Sequence, residues 1–381
     1  MSNKSRKAVW TFAFASFFND MGSDIIAPIW PLFVTGFAGA NMAVLGLIDG
    51  IGEAVVSISQ AVSGYVSDGL RKRKFFIWLG YSFGAASRIG YALAASWHWL
   101  VPFRILDRGG KIRNSPRDAI VADVSSRQNR GKNFGLVRAF DNLGAVCGIL
   151  ISVALLGILG FKKLFLLASI PSVIAVLLIL FFIKEKKPKK KIYKGISLKS
   201  LSPNFRLFLF ASSIFALGSF SYSFILLHAK KEGFSIAAIP FLYLLFTAVA
   251  SITSYPFGSL ADKIGRKPVL FLSFAFWIVV CSTFIFSTSH IAIITAFAIY
   301  GLHKGSLEPV QRTLVSELAP EEYRASALGA FQMIIGIFAL PASIAAGVLW
   351  DTISINAPFY FSLGLSAASI LLLLFVKESK D

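Results

Sequence analysis

Six residues between positions 104 and 118 stand three or four apart: Arg104, Asp107, Arg108, Lys111, Ser115 and Asp118. On a helix that spacing gathers them into one stripe. Three cations against two carboxylates could hold an anionic group in a cavity. Alternatively, Asp107 pairs with Lys111 one turn on, and Asp118 with a neighbouring arginine, as internal scaffold. A second row has Tyr300, Lys304, Glu308 and Arg312 spaced by four, with His303 beside them. Glu308 between two cations is expected to be ion-paired, and His303 is either a proton site or a satisfied structural donor. A third set, Asn19, Asp20, Ser23 and Asp24, precedes Pro28 and Pro31. Asp20 and Asp24 lie one turn apart, an arrangement that suits proton coupling, pairing with cations or ligation of a cation. Asp49 with Glu53 repeats the one-turn spacing, and Arg138 with Asp141 reads as scaffold.

No enzyme signature accompanies these groups. H-E-x-x-H, G-x-S-x-G, the phosphate-cradling G-x-x-x-x-G-K-[ST] and paired Cys/His metal spacings do not occur. No catalysis and no cofactor are expected, and a gradient rather than ATP must drive any work. Cys147 and Cys281, far apart in apolar sequence, read as small core residues.

The segments that carry these charges are otherwise apolar. The chain of 381 residues is 56% hydrophobic with a mean hydropathy of +0.70, too apolar for a soluble domain. Residues 164–183, 207–227, 234–261, 268–289 and 352–376 contain no charge at all, and each approaches or exceeds the roughly 20 residues that cross a bilayer. Twelve spans are expected near 8–36, 43–67, 74–96, 99–123, 134–158, 163–183, 205–228, 235–260, 268–288, 290–316, 325–350 and 356–376. The aromatic content is read as packing and lipid-facing material, with Trp97 and Trp99 around His98 at an interface. No cleavable signal peptide is expected, because the stretch after Lys4, Arg6 and Lys7 continues as a full span.

The net charge of +19 lies almost wholly outside the spans. Of the basic residues in connections and tails, all but Lys162, Lys163, Lys230 and Lys231 fall on alternate loops and the two termini. That asymmetry predicts cytoplasmic N- and C-termini and a cytoplasmic central loop, in a multi-pass plasma (inner) membrane protein. The basic excess reports topology, so no nucleic-acid partner is expected.

The long polar segment 184–203 divides the chain into residues 1–183 and 204–381. The halves repeat. Gly64 and Asp68 return as Gly258 and Asp262, Asp123 as Glu317, Arg130 as Arg324 and Gly135 as Gly329, all offset by 194, with Pro116 and Pro309 offset by 193. Two parallel six-helix units are expected.

Gly258-Ser-Leu-Ala-Asp262-Lys-Ile-Gly265-Arg266-Lys267 resembles, without a gap, the loop signature G-x-L-A-D-x-x-G-R-K of the major facilitator superfamily. The first-half copy, Gly64-Tyr-Val-Ser-Asp68-Gly-Leu-Arg71-Lys72-Arg73, has Arg71 where a Gly is usual. Arg104, Pro116 and Asp123 are similar to the fourth-helix pattern. Leu106-Asp-Arg-Gly-Gly-Lys-Ile-Arg-Asn-Ser-Pro-Arg-Asp-Ala119 is similar to a prokaryotic branch of the superfamily. The G-x-x-x-G-P pattern of the superfamily's antiporters is met only in part, since Ile149 follows Gly144-Ala-Val-Cys-Gly148 in place of Pro.

The resemblance implies an all-α membrane protein of twelve transmembrane helices in two pseudo-symmetric six-helix bundles, working by alternating access. It implies a gating role for Gly64, Asp68, Gly258, Asp262, Gly265 and Arg266. The cavity is expected to be bounded by Arg104, Arg108, Lys111, Tyr300 and Lys304 for a small-molecule substrate, with Asp20, Asp24 and Glu308 for a coupling proton. Export of a small organic compound by a monomer in the lipid bilayer is the first expectation. An anionic metabolite, a metal cation or a non-transporting receptor on the same fold are the alternatives.

Overall fold

The computed structural model describes residues 3–70, 72–125, 129–184, 202–319 and 324–378, and the described residues form helices without strands. Residues 185–201, most of the expected linker 184–203, and the side chain of Asp68 lie outside the described residues.

The first pass is α1 (Asn3–Ile26), which continues past Pro28 as the short α2 (Trp30–Leu32) and a π-helical turn, Phe33–Phe37. Proline removes a backbone donor and forces such interruptions. Then come α3 (Met42–Leu70) and α4 (Arg73–Leu93). The fourth pass is built from α5 (Trp97–Gly109), a 3-10 turn over Gly110–Arg113, and α6 (Asn114–Val124). Next is α7 (Arg130–Phe182), whose 53 residues are broken at Gly160, with φ 65° and ψ 178°. That conformation suits glycine, and it divides α7 into the two passes expected at 134–158 and 163–183.

In the second half the span expected as continuous over 205–228 is two helices, α8 (Pro203–Gly218) and α9 (Tyr222–Lys231). Gly218-Ser-Phe-Ser221 breaks it, and the Ser221 hydroxyl caps the new helix by accepting from the Ser223 amide. The remaining passes are α10 (Ile239–Ile264), α11 (Arg266–Phe286), α12 (His290–Leu318), α13 (Arg324–Thr352) and α14 (Ala357–Phe375).

Seven helical segments among the described residues are long and apolar enough to cross a membrane unaided, and Lys132–Phe182 is long enough to do so twice. The other four passes, the first, third, fourth and tenth, carry most of the membrane-buried charge. Together they make twelve.

Backbone contacts group the chain into two compact units, residues 1–40 with 51–193, and 41–50 with 194–381. Residues 42–50 of α3 thus pack with the second unit. The internal repeat recurs in side-chain contacts within each unit. In the first, Arg73 Nη1 pairs with Asp123 Oδ2 at 2.6 Å, and Lys74 Nζ donates to the Leu180 carbonyl at 2.8 Å. In the second, Arg266 Nη2 pairs with Glu317 Oε1 at 2.8 Å, and Lys267 Nζ donates to the Leu374 carbonyl at 2.7 Å. The acceptors are offset by 194 and the cations by 193, because the first loop is one residue longer between its Asp and this Arg.

Candidate functional site

In the first unit the polar groups converge from α1, α4, α5 and α7. Arg88 of α4, only 1% exposed, donates from Nη2 to Ser23 Oγ at 2.7 Å and to the Asn19 carbonyl at 3.1 Å. Its Nη1 reaches the Ala168 carbonyl at 3.5 Å. Gly22 on α1 leaves the room: a Cβ there would meet the Ala168 carbonyl and Arg88 Nη1. Arg88 therefore ties α1, α4 and the second pass of α7 together, a role its isolated position in the sequence did not signal.

The row expected on the fourth pass divides into two parts. At the α5 end, Arg104 is buried with its guanidinium 4.4 Å from the Trp30 ring centroid. Arg108 Nε lies 3.8 Å from Asp107 Oδ2, and Ser87 Oγ donates to Asp107 Oδ1 at 3.4 Å. Asp107 therefore pairs with Arg108, the residue after it, rather than with Lys111. Gly52 of α3 stands over both arginines, and a Cβ there would lie 3.1 Å from Arg104 Nε and 3.3 Å from Arg108 Cγ. Lys111 follows, half-buried, on the 3-10 turn. Three cations and one carboxylate thus occupy a half-buried stretch beside a glycine, an arrangement that can neutralise an acidic group in a low-dielectric setting.

At the α6 end the same row is scaffold. Arg117 Nε pairs with Asp118 Oδ1 at 2.9 Å, Nη1 donates to Ser16 Oγ at 2.8 Å and lies 3.8 Å from Asp141 Oδ1, and Arg138 pairs with Asp141 at 3.6 Å. Arg113 lies over the Tyr81 ring at 4.8 Å and donates to the Gly110 carbonyl at 2.8 Å. On α1, Asp20 and Asp24 are both half-buried, and Asp20 Oδ1 accepts from Asn19 Nδ2 at 2.9 Å.

In the second unit Tyr300 is buried against Phe246 and Trp277, and Lys304 Nζ stands 5.7 Å from its ring centroid. Glu308 and Arg312 are exposed, and no ion pair within 4.0 Å among the described residues includes either. The expected pairing of Glu308 with its neighbouring cations is therefore not seen. His303 is fully buried: Nδ1 lies 2.8 Å from the Ser273 carbonyl and 3.0 Å from its hydroxyl, with Trp277 and Phe215 around the ring. That is the environment of a structural donor.

The loop signature of the second unit is a closed network. Asp262 Oδ1 holds Arg266 Nη2 at 2.9 Å, and Arg266 also reaches Glu317. Gly265, at φ 99°, turns the chain there, and the Glu378 carboxylate accepts from the amides of Arg266 and Lys267 at the start of α11. A Cβ on Gly265 would collide with that carboxylate. Glu378 was not singled out in the sequence. Gly258 is open, with nothing within 4 Å of a built Cβ, whereas a Cβ on Gly64 would touch Ser115 at 3.3 Å.

The family description Major Facilitator Superfamily matches the chain twice, over residues 12–225 and 208–381. A protein of Methanocaldococcus jannaschii, named an uncharacterized MFS-type transporter, is 38% identical, covering 97% of this chain and 95% of that one. The quinolone resistance protein NorA of Staphylococcus aureus is 22% identical over 98% of this chain and 97% of its own. Among solved structures, a mutant of the nucleoside transporter NupG matches with a TM-score of 0.84 at 13% identity, covering 97% of this chain and 100% of that one. A bacterial homolog of the human lysosomal transporter Spinster, inward-facing and occupied, matches with a TM-score of 0.74 at 16% identity, covering 99% and 95%. The twofold match, the contacts repeated in each unit and the twelve helical passes have one explanation: the chain belongs to the major facilitator superfamily of multi-pass membrane transporters.

Proposed function

We infer that the protein is a proton-coupled secondary transporter that exports a small organic compound by alternating access. Two six-helix bundles, 1–183 and 204–381, do the moving, in a monomer whose termini face the cytoplasm of a cell with this protein in its inner membrane. The observation that carries the reading is the half-buried row Arg104–Asp107–Arg108–Lys111 beside Gly52. Arg104, Arg108 and Lys111 set three cations against the one carboxylate of Asp107, an excess of positive charge that an acidic group on a solute can balance. Arg104, Arg108 and Lys111 in the first unit, and Tyr300 and Lys304 in the second, contact the solute. Asp20, Asp24 and Glu308 carry the proton, and the similarity to a quinolone resistance protein supports export. A second reading, transport of an anionic metabolite, is favoured by the three cations to one carboxylate on that row.

Thermal stability of the purified protein against a panel of small ligands, at two pH values, is the first test. A ligand present at 100 times its Kd stabilises by about 2.7 kcal/mol. Stabilisation by organic anions, lost on Arg108→Ala while the unliganded melting temperature is kept, is the expected result for the second reading. Stabilisation only by lipophilic cations would reject it and move the site to Asp20 and Asp24. No stabilisation by any compound, with flux also undetected, would reject the transport reading.

Gly64, Asp68, Gly258, Asp262, Gly265 and Arg266 form the gate in this reading. Asp262→Asn is expected to reduce solute flux in proteoliposomes by about twofold, since the exposed i,i+4 pair it weakens contributes about 0.3–0.5 kcal/mol. Flux unchanged in a normally folded variant removes the gate assignment.

A further inference from the structure

Residues 41–50 are bound to the second unit by more than packing. Gly46 meets the Ser343 carbonyl of α13 and Gly50 meets Leu340, while Gly347 of α13 meets the Met42 carbonyl, so the two backbones touch. Asp351, in the last turn of α13, caps the start of α3: Oδ1 accepts from the Met42 amide at 3.2 Å and Oδ2 from the Ala43 amide at 2.8 Å. About two turns into α3, Asp49 is 2% exposed, and its Oδ2 accepts from Ser221 Oγ at 2.7 Å and Ser223 Oγ at 2.6 Å. These two serines form the first turn of α9, immediately after the break from α8. Each carboxylate is thus set at the start of a helix, where the free amides and the helix dipole favour negative charge.

A carboxylate buried at a close helix crossing costs several kcal/mol unless it is bonded. The close approach of α3 to α13 is made by Gly46, Gly50 and Gly347. What the carboxylate adds is a bond that depends on its charge and can be released as a unit. The glycine contacts hold α3 to α13 by shape, whereas Asp49 holds α3 to α9 by two short charge-assisted hydrogen bonds.

We propose that Asp49 is a positioning residue of the transport cycle, a latch that holds residues 42–50 of α3 against the first turn of α9 and must release Ser221 and Ser223 before the alternate state can form. The inference rests on the alternating-access reading above, and it assigns a role to a residue outside the solute and proton groups named there.

The test reads conformation without any solute. Leu45, fully buried on the latched segment, is replaced by cysteine in a chain carrying Cys147→Ser and Cys281→Ser, and maleimide labelling is timed in native membrane vesicles. Asp49→Asn is expected to speed labelling by about tenfold or more, the loss of one charge-assisted interaction. The double variant Ser221→Ala, Ser223→Ala, which also removes the Ser221 cap of α9, is expected to speed labelling at least as much, and the triple variant to go no further than the double. Unchanged labelling in Asp49→Asn, or additive effects in the triple variant, overturns the latch. Should Asp49→Asn fail to extract as a folded protein, the serine double variant, which leaves every charge in place, decides alone. Failure of the transport reading is a separate outcome: labelling then responds to Asp49→Asn while no solute moves in flux assays of the unmodified chain.

Discussion

Gly148→Leu is expected to leave no monodisperse folded protein after detergent extraction, while Gly157→Leu on the same helix extracts and melts like the parent chain. A Cβ on Gly148 would fall on the Met21 carbonyl and lie 3.0 Å from the Asp24 backbone; one on Gly144 would fall on the Phe17 carbonyl. Nothing lies within 4 Å of a Cβ built on Gly157. The obstacle at 148 is backbone on α1, which cannot rotate aside as a side chain can. Overpacking a core costs about 1–3 kcal/mol when side chains yield, and here a whole helix must move. The measurement is size-exclusion elution of extracts with a melting curve for each variant. A Gly148→Leu protein that elutes and melts like the parent would show that the α1–α7 contact does not organise the first unit.

The second large effect is expected at Arg88. Arg88→Leu removes three hydrogen bonds that link α1, α4 and the second pass of α7. Polar contacts inside membrane bundles average about 0.6 kcal/mol and reach about 1.7, giving a loss of roughly 2–5 kcal/mol. At about 2–4 °C per kcal/mol for a unit of this size, the melting temperature should fall by about 5–15 °C. Arg88→Lys keeps the charge but not the planar fork, and should recover less than half of the loss. A fall of under about 2 °C in Arg88→Leu would mean that the three bonds contribute little net stability.

The architecture could be read from the sequence because the bilayer leaves few choices. Span lengths follow from its thickness, and a duplicated unit leaves landmarks at a constant offset. Hence Asp123 and Glu317, paired by their offset alone, turn out to accept from corresponding arginines. Gly144 and Gly148, met in the sequence as part of an antiporter pattern, are where α1 approaches α7 closely. What could not be read was partner choice. Spacing alone offered Lys111 to Asp107, yet side-chain direction and the interruption at Gly110–Arg113 leave Asp107 with Arg108 and Ser87. Arg88 carries no sequence signal of its role, because its partners come from residues 19, 23 and 168, which no local pattern connects. The break before α9 was missed because hydropathy does not register a cap, and it was that break which placed Ser221 and Ser223 against Asp49.

The buried position of Arg88 also bears on how the chain enters the bilayer. An arginine at the middle of a lone helix opposes insertion by about 2.5–3.5 kcal/mol; Arg88, nearer the end of α4, opposes it by less, and α4 is one of the passes too polar to enter on hydropathy alone. When α4 enters the bilayer, Asn19 and Ser23 precede it in the chain, but Ala168 lies 80 residues beyond Arg88. The arginine must therefore wait beside α1, half-satisfied, until the second pass of α7 arrives to complete its shell. Biogenesis of the first unit is thus a late-closing event, and a nascent chain arrested before residue 168 is the species a membrane quality-control protease should find easiest to extract.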